Sequence, residues 1–161
     1  VLMNHPEVSK SIEDKNPRAR FVIHNEEEIS ENRSNKALLK AKAYEMFAKL
    51  TDSQKRDVLK LYPNMYKASK ESPSLVTDKL SVKLEEDPET FIQMITDKDK
   101  ETKVLIKDLI TNRVLTQNGS IIKYEGDVIG HNLEAAVDFL KDPLNQSLKV
   151  ALMAALKEKT K

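Results

Sequence analysis

The chain has 161 residues, and 27 basic against 26 acidic side chains give it a formal net charge of +1 at pH 7. This balance excludes a global attraction to phosphate backbones, so any nucleic-acid site has to be local. Because the chain contains no cysteine, disulfides, thiolate catalysis and cysteine-ligated metals are excluded as well.

The composition predicts one mainly helical domain. Apolar residues make up 39% and charged residues 33% of the chain, while glycine and proline are few. The length suffices for a single hydrophobic core. The longest strongly apolar run, 150–156, is far shorter than a bilayer span, and no basic-then-apolar leader opens the sequence. We therefore expect a cytosolic origin and no membrane partner.

Residues 1–24 differ from the rest because they lack a helical apolar period and contain two prolines. They predict an extended N-terminal arm, followed by a helical domain over residues 25–161. The arm either packs onto its own domain or adds to a sheet edge or groove of a partner. Phe21 is the predicted anchor, and the predicted partner-binding residues of the arm are Lys15, Arg18, Arg20, Phe21 and Ile23.

The predicted domain contains about six or seven helices. The first begins at the cap Asn25 and runs toward Leu50, with an apolar stripe facing the core. Thr51 and Gln54 form a predicted capping box for the second helix, which Pro63 ends. The stripe of the first helix consists of Leu39, Ala43, Met46, Phe47 and Leu50.

Cap-plus-proline pairs predict three further helix starts, at Ser72-Pro73, Asp87-Pro88 and Asp142-Pro143. A further helix is predicted over residues 100–113, with Asp97 or Asp99 as its cap. The last helix has a predicted core stripe of Leu144, Leu148, Leu152 and Ala155, and the helix before it one of Leu133, Ala136, Val137 and Leu140.

All three glycines lie in the segment "NGSIIKYEGDVIG" at 118–130. Asn118-Gly119 predicts a type I′ turn, hence a β-hairpin at about 114–129. Gly126-Asp127 is expected to turn or bulge the returning strand, and Gly130 to let the backbone enter a helix capped by Asn132. One of Ile121 and Ile122, with one of Val128 and Ile129, should supply the inward face.

The sequence contains no recognisable catalytic, cofactor or metal-binding motif. The histidines at positions 5, 24 and 131 are far apart. Asp127, His131 and Glu134 could converge, but they are interpreted as an exposed junction between hairpin and helix. We therefore expect no catalytic residue, no cofactor, no metal and no small-molecule substrate.

A helix that leads into a hairpin also resembles the wing of a winged-helix domain. The alternative function is therefore DNA binding or transcriptional regulation, with residues 100–113 as the reading helix. Nearby acidic side chains cancel most of the positive charge of that helix, which disfavours the alternative. Its predicted nucleic-acid contacts are Lys103, Lys107, Asn112, Arg113 and Lys123.

The stretch "NGSIIKYEGDVIGHNLEAAVDFLKDPLNQ", together with "LTDSQKRDVLKLY", resembles uncharacterised proteins encoded among the virion genes of large tailed bacteriophages. The resemblance implies a small structural or accessory component that is held against other protein chains, in the virion or the host cytoplasm. It brings no catalytic residues. The leading expectation is therefore a non-catalytic structural or adaptor protein of a tailed-phage particle.

Overall fold

A computed structural model describes residues 8–9, 21–22, 26–65, 68 and 70–160. In this part of the chain the structure is mainly helical, with a small antiparallel sheet toward the C-terminal end, which confirms the predicted fold class. The elements are β1 (Val8–Ser9), β2 (Phe21–Val22), α1 (Glu26–Ala48), α2 (Asp52–Leu61), α3 (Pro73–Glu86), α4 (Pro88–Thr96), α5 (Lys100–Thr111), β3 (Thr116–Asn118), β4 (Ile121–Tyr124), β5 (Asp127–Gly130), α6 (Leu133–Lys141), a 3₁₀ turn (Pro143–Asn145) and α7 (Gln146–Lys159).

The chain divides into two compact units, residues 1–42 and residues 43–161. The first unit contains β1 and β2, which pair in parallel, and most of α1. The second contains the end of α1 and all later elements. The predicted boundary near residue 24 and the predicted cap Asn25 lie outside the described residues.

Most helix starts follow the local signals in the sequence. The Thr51 hydroxyl accepts a hydrogen bond from the Gln54 backbone N–H at 3.3 Å, and the Thr51 backbone N–H donates to Gln54 Oε1 at 2.9 Å, so the capping box is confirmed. The predicted caps Ser72, Asp87 and Asn132 also accept backbone hydrogen bonds. These contacts stabilise the starts of α2, α3, α4 and α6.

Two predicted helix starts differ in detail. Asp142 caps the 3₁₀ turn, and α7 begins only after that turn. Asp99 occupies the N-cap position of α5 without a side-chain capping bond, while Asp97 Oδ1 accepts the Asp99 backbone N–H at 2.8 Å.

Two clusters of buried side chains form the core of the second unit. One joins the end of α1 with α2, α3 and α4, and the other joins α5, the sheet, α6 and α7. Two members of the predicted stripes are exposed instead, since Leu39 is 36% and Leu144 87% exposed. The α1 stripe is buried only from Ala43 onward, and the tighter 3₁₀ turn takes Leu144 off the face of α7.

The predicted hairpin is present, but its first turn is shifted by one residue. Asn118 pairs with Ile121, so the turn consists of Gly119 and Ser120. Gly119 has φ +60, whereas Asn118 does not have a left-handed backbone. A positive φ at the first turn residue alone is typical of type II′, so the predicted type I′ turn at Asn118-Gly119 is wrong.

The type I′ pattern occurs instead in the second turn, between β4 and β5. Tyr124 pairs with Asp127, and the two intervening residues, Glu125 and Gly126, have φ values of 49° and 100°. A register shift follows, because Ile122 pairs with Gly130 while Lys123 pairs with Val128. The third strand, β5, thereby joins the sheet with a bulge.

Ile122 and Ile129 are the two sheet residues whose side chains face the core. Ile122 is 1% and Ile129 5% exposed, whereas Val128 is 44% exposed. Side chains on a strand alternate between its faces, so burying Ile122 and Ile129 fixes the register of the sheet. Gly130 then lies so close to α6 that a Cβ there would be 2.5 Å from the Ala136 backbone nitrogen.

Candidate interaction surface

The most unusual surface belongs to α1 in the first unit. Every residue from 30 to 39, "SENRSNKALL", is exposed, and Leu38 is 66% exposed. Serine and asparagine, which make up four of these positions, are poor helix formers because their side chains compete for backbone hydrogen bonds. Helices in water derive most of their stability from a buried face. The exposed α1 segment, residues 30–39, therefore lacks the buried face that stabilises most helices.

Of the predicted arm, the structure describes only residues 8–9 and 21–22. The Phe21 backbone lies in β2 and pairs with that of Val8. The other predicted arm contacts, Lys15, Arg18, Arg20 and Ile23, lie outside the described residues. Their binding role stays a prediction.

Exposed apolar side chains also occur on the second unit, on separate elements. Val82 on α3 is exposed, and so are Val150 and Met153 on α7. The stretches around these side chains differ from the exposed α1 segment because nearby residues of the same helix, such as Leu80 and Leu152, are buried in a core cluster. Their stability does not depend on covering the outer face.

Two of the five predicted nucleic-acid contacts already bind acceptors within the fold. Lys103 Nζ lies 2.8 Å from Asp97 Oδ2 and 3.8 Å from Glu134 Oε1. The hydrogen bond with Asp97 raises the pKa of Lys103 and lowers that of Asp97. Asn112 Nδ2 donates to the Asp108 carbonyl at 2.8 Å, as a C-terminal helix cap.

The remaining three predicted contacts lie on different elements. Lys107 is half-buried on α5, Arg113 is exposed just after α5 with φ 57, and Lys123 is half-buried on β4. Since two of the five donors are engaged internally, the structure adds little support to a DNA-reading face. DNA binding stays a prediction.

The residues of the hairpin-to-helix junction are at the surface. Asp127, His131 and Glu134 are all exposed, and Glu134 approaches Lys103. No group of three or more metal-binding side chains comes together in the described part of the chain.

A small recess lies between the end of α2 and the second half of α5. Its volume is about 60 Å³, and we refer to it as the α2–α5 recess. At its edge, Lys60 Nζ lies 3.2 Å from Asp57 Oδ1 and 2.8 Å from Asp108 Oδ2, and the Lys60 side chain is only 10% exposed. The lining residues are Lys60, Tyr62, Asn64, Lys107, Ile110, Thr111 and Gln117.

Sequence reasoning missed the α2–α5 recess as a unit, although Lys107 was among the predicted contacts. Lys60 and Asp108 are 48 positions apart, and neither belongs to a motif. Only the packing of α2 against α5 brings them together.

Tyr62 is nearly buried, at 7% exposure, and its hydroxyl has no hydrogen-bond partner among the described residues. Burial, followed by the nearby negative charges of Asp87 and Glu86, raises the pKa of Tyr62 to about 12. A buried hydroxyl without a partner costs about 1–3 kcal/mol of desolvation. A substitution at Tyr62 therefore tests whether its hydroxyl is shielded from water in the folded state.

We expect Tyr62→Phe to leave the free energy of unfolding at pH 8 unchanged or to raise it by about 1 kcal/mol, because it removes the unpaired hydroxyl. The folded pKa is about 12 against an ordinary value of 10.0. Between pH 10 and about pH 12 the unfolded chain loses the phenol proton before the folded chain does, so the free energy of unfolding of the native protein falls as pH rises.

The Tyr62→Phe variant lacks this loss, so its advantage should grow by about 1 kcal/mol between pH 9 and pH 11. Urea unfolding followed by circular dichroism measures both proteins at each pH. Other titrating groups are common to the two proteins and cancel in the difference. Parallel stability curves would show that the phenol is solvated in the folded state.

Comparison with known proteins gives no relative: no protein-family model, curated protein sequence or solved structure matches this chain. Within the described residues, none of the helices combines the length and the apolar character that crossing a bilayer requires.

Proposed function

We propose that this protein is a non-catalytic interaction component that binds other protein chains through the exposed α1 segment. The observation that carries the proposal is the exposure of all ten residues from 30 to 39 within one helix. Leu38, at 66% exposure, is the most exposed large apolar side chain of this segment.

The energetics of helices support this interpretation. A helical stretch without a buried face depends on residues of high helix propensity such as alanine, and residues 30–39 of the 23-residue helix α1 bury no side chain. The exposed α1 segment is instead rich in serine and asparagine, which disfavour helix by up to about 0.7 kcal/mol per residue relative to alanine. A partner that covers Leu38 would supply the missing apolar burial, and the helix would gain order on binding.

The resemblance to virion-encoded proteins of large tailed phages suggests which assembly supplies the partner. On this basis we propose a structural or accessory (adaptor) role in a phage particle, with the protein in the virion or the host cytoplasm. Other chains of the same assembly are then the partners.

The test compares hydrogen exchange in the isolated protein and in complexes purified from the native host. We expect backbone amides of residues 30–39 to exchange rapidly in the isolated protein and at least about tenfold more slowly in the complex. Amides of the buried positions 104, 106 and 109 in α5 serve as an internal control, since they should be protected in both states. Equal exchange of the exposed α1 segment in the two states would contradict the proposal.

A matched pair of variants assigns the effect to α1. Leu38→Glu and Val82→Glu each place a charge at an exposed apolar position, so neither should reduce helical circular dichroism. We expect Leu38→Glu alone to weaken recovery of partner chains by about tenfold, which corresponds to about 1.4 kcal/mol. Mass spectrometry of the recovered chains then tests the phage assignment separately.

A further inference from the structure

Lys107 differs from those half-buried lysines of the second unit that have a carboxylate partner, and it resembles Lys123, which also forms no salt bridge with a described carboxylate. Lys79 Nζ lies 2.5 Å from Glu71 Oε1, and Lys103 and Lys60 also have carboxylate partners. Lys107 forms no salt bridge with any described carboxylate, although it lines the α2–α5 recess. Partial burial weakens the hydration of an ammonium group. A carboxylate in contact with Lys107 would therefore replace part of the lost hydration free energy.

We propose that the α2–α5 recess is a binding site for a carboxylate, which a partner protein supplies as an aspartate or glutamate side chain. Lys107 provides the positive charge, and the Thr111 hydroxyl is a second donor on the same helix, one turn further on. Ile110 offers an apolar wall for the methylene groups that precede the carboxylate. A volume of about 60 Å³ exceeds the roughly 10–15 Å³ that a single water molecule needs, so the recess has room for a carboxylate group.

The surrounding charges set the expected strength. Lys60 and Lys107 carry two positive charges, and Asp57 and Asp108 carry two negative charges, so the four groups sum to zero. The recess therefore attracts an anion through direct contact with Lys107 rather than through a long-range field. A free carboxylate should bind only in the millimolar range, and a tethered side chain in an interface more strongly.

The experiment titrates the ¹⁵N-labelled full chain with sodium acetate, with sodium chloride and sodium phosphate at matched ionic strength as separate arms. We expect acetate to shift the backbone resonances of Thr111, Gln117 and Asn64 with a saturable curve. Lys107→Met, which keeps the aliphatic stem, should reduce these shifts at least about threefold. Lys123→Met is the matched control, because Lys123 is also half-buried but lies on β4 and does not line the recess, and it should leave them unchanged.

Each arm of the titration decides the proposal. Acetate shifts that chloride reproduces, or that survive Lys107→Met, would overturn the site. Stronger saturable shifts with phosphate than with acetate would overturn the choice of a carboxylate. The inference takes from the proposed function only the source of the carboxylate, and acetate binding can succeed or fail independently of α1.

Discussion

Phe91→Ala is expected to lower the free energy of unfolding by about 4 kcal/mol, because it removes a large, fully buried side chain from the first core cluster. Phe91 is 0% exposed. Its ring centroid lies 6.2 Å from that of Phe47 with the planes tilted by 48°, an arrangement that contributes beyond burial alone. The substitution leaves a cavity among α1, α2, α3 and α4 that the remaining side chains fill only in part.

Urea unfolding monitored by circular dichroism at 25 °C measures this loss. Phe91→Leu is the control, since it keeps most of the apolar volume and should cost about 1.5 kcal/mol or less. Equal losses in the two variants would mean that the aromatic shape, not the filled volume, stabilises the cluster. A loss below about 2 kcal/mol for Phe91→Ala would show that the four helices close around the gap.

Gly130→Ala is expected to cost about 3 kcal/mol, the upper end of what overpacking usually costs. The added Cβ would lie 2.5 Å from the Ala136 backbone nitrogen and 2.8 Å from its Cα. These are backbone atoms, so no rotation of a side chain relieves the contact, and Ala136→Gly should not rescue the variant. Either β5 or the first turn of α6 has to move.

Gly126→Asn separates this contact from the general effect of losing a glycine. Gly126 has φ +100, but a Cβ there would meet nothing within 4 Å. Asparagine tolerates positive φ better than most residues, so we expect a loss of about 1 kcal/mol or less. The same urea experiment measures both variants. A Gly130→Ala loss no larger than that of Gly126→Asn would contradict the close packing of β5 on α6.

The sequence by itself determined the features that depend on a few neighbouring residues. The Thr51–Gln54 capping box and the caps Ser72, Asp87 and Asn132 were all predicted, because each side-chain cap and its backbone donor lie three positions apart. The helical fold class and the presence of a hairpin followed from similar local signals.

The tertiary structure alone decided the register of the hairpin and the exposure of individual apolar side chains. Asn118-Gly119 is a strong local turn signal, yet the turn residues are Gly119 and Ser120, in the register that buries Ile122. Leu144 matched a helical stripe but left it when the chain formed a 3₁₀ turn. The recess beside Lys107 likewise required α2 and α5 to pack together, because contacts across tens of residues depend on the whole core and leave no pattern in a short window.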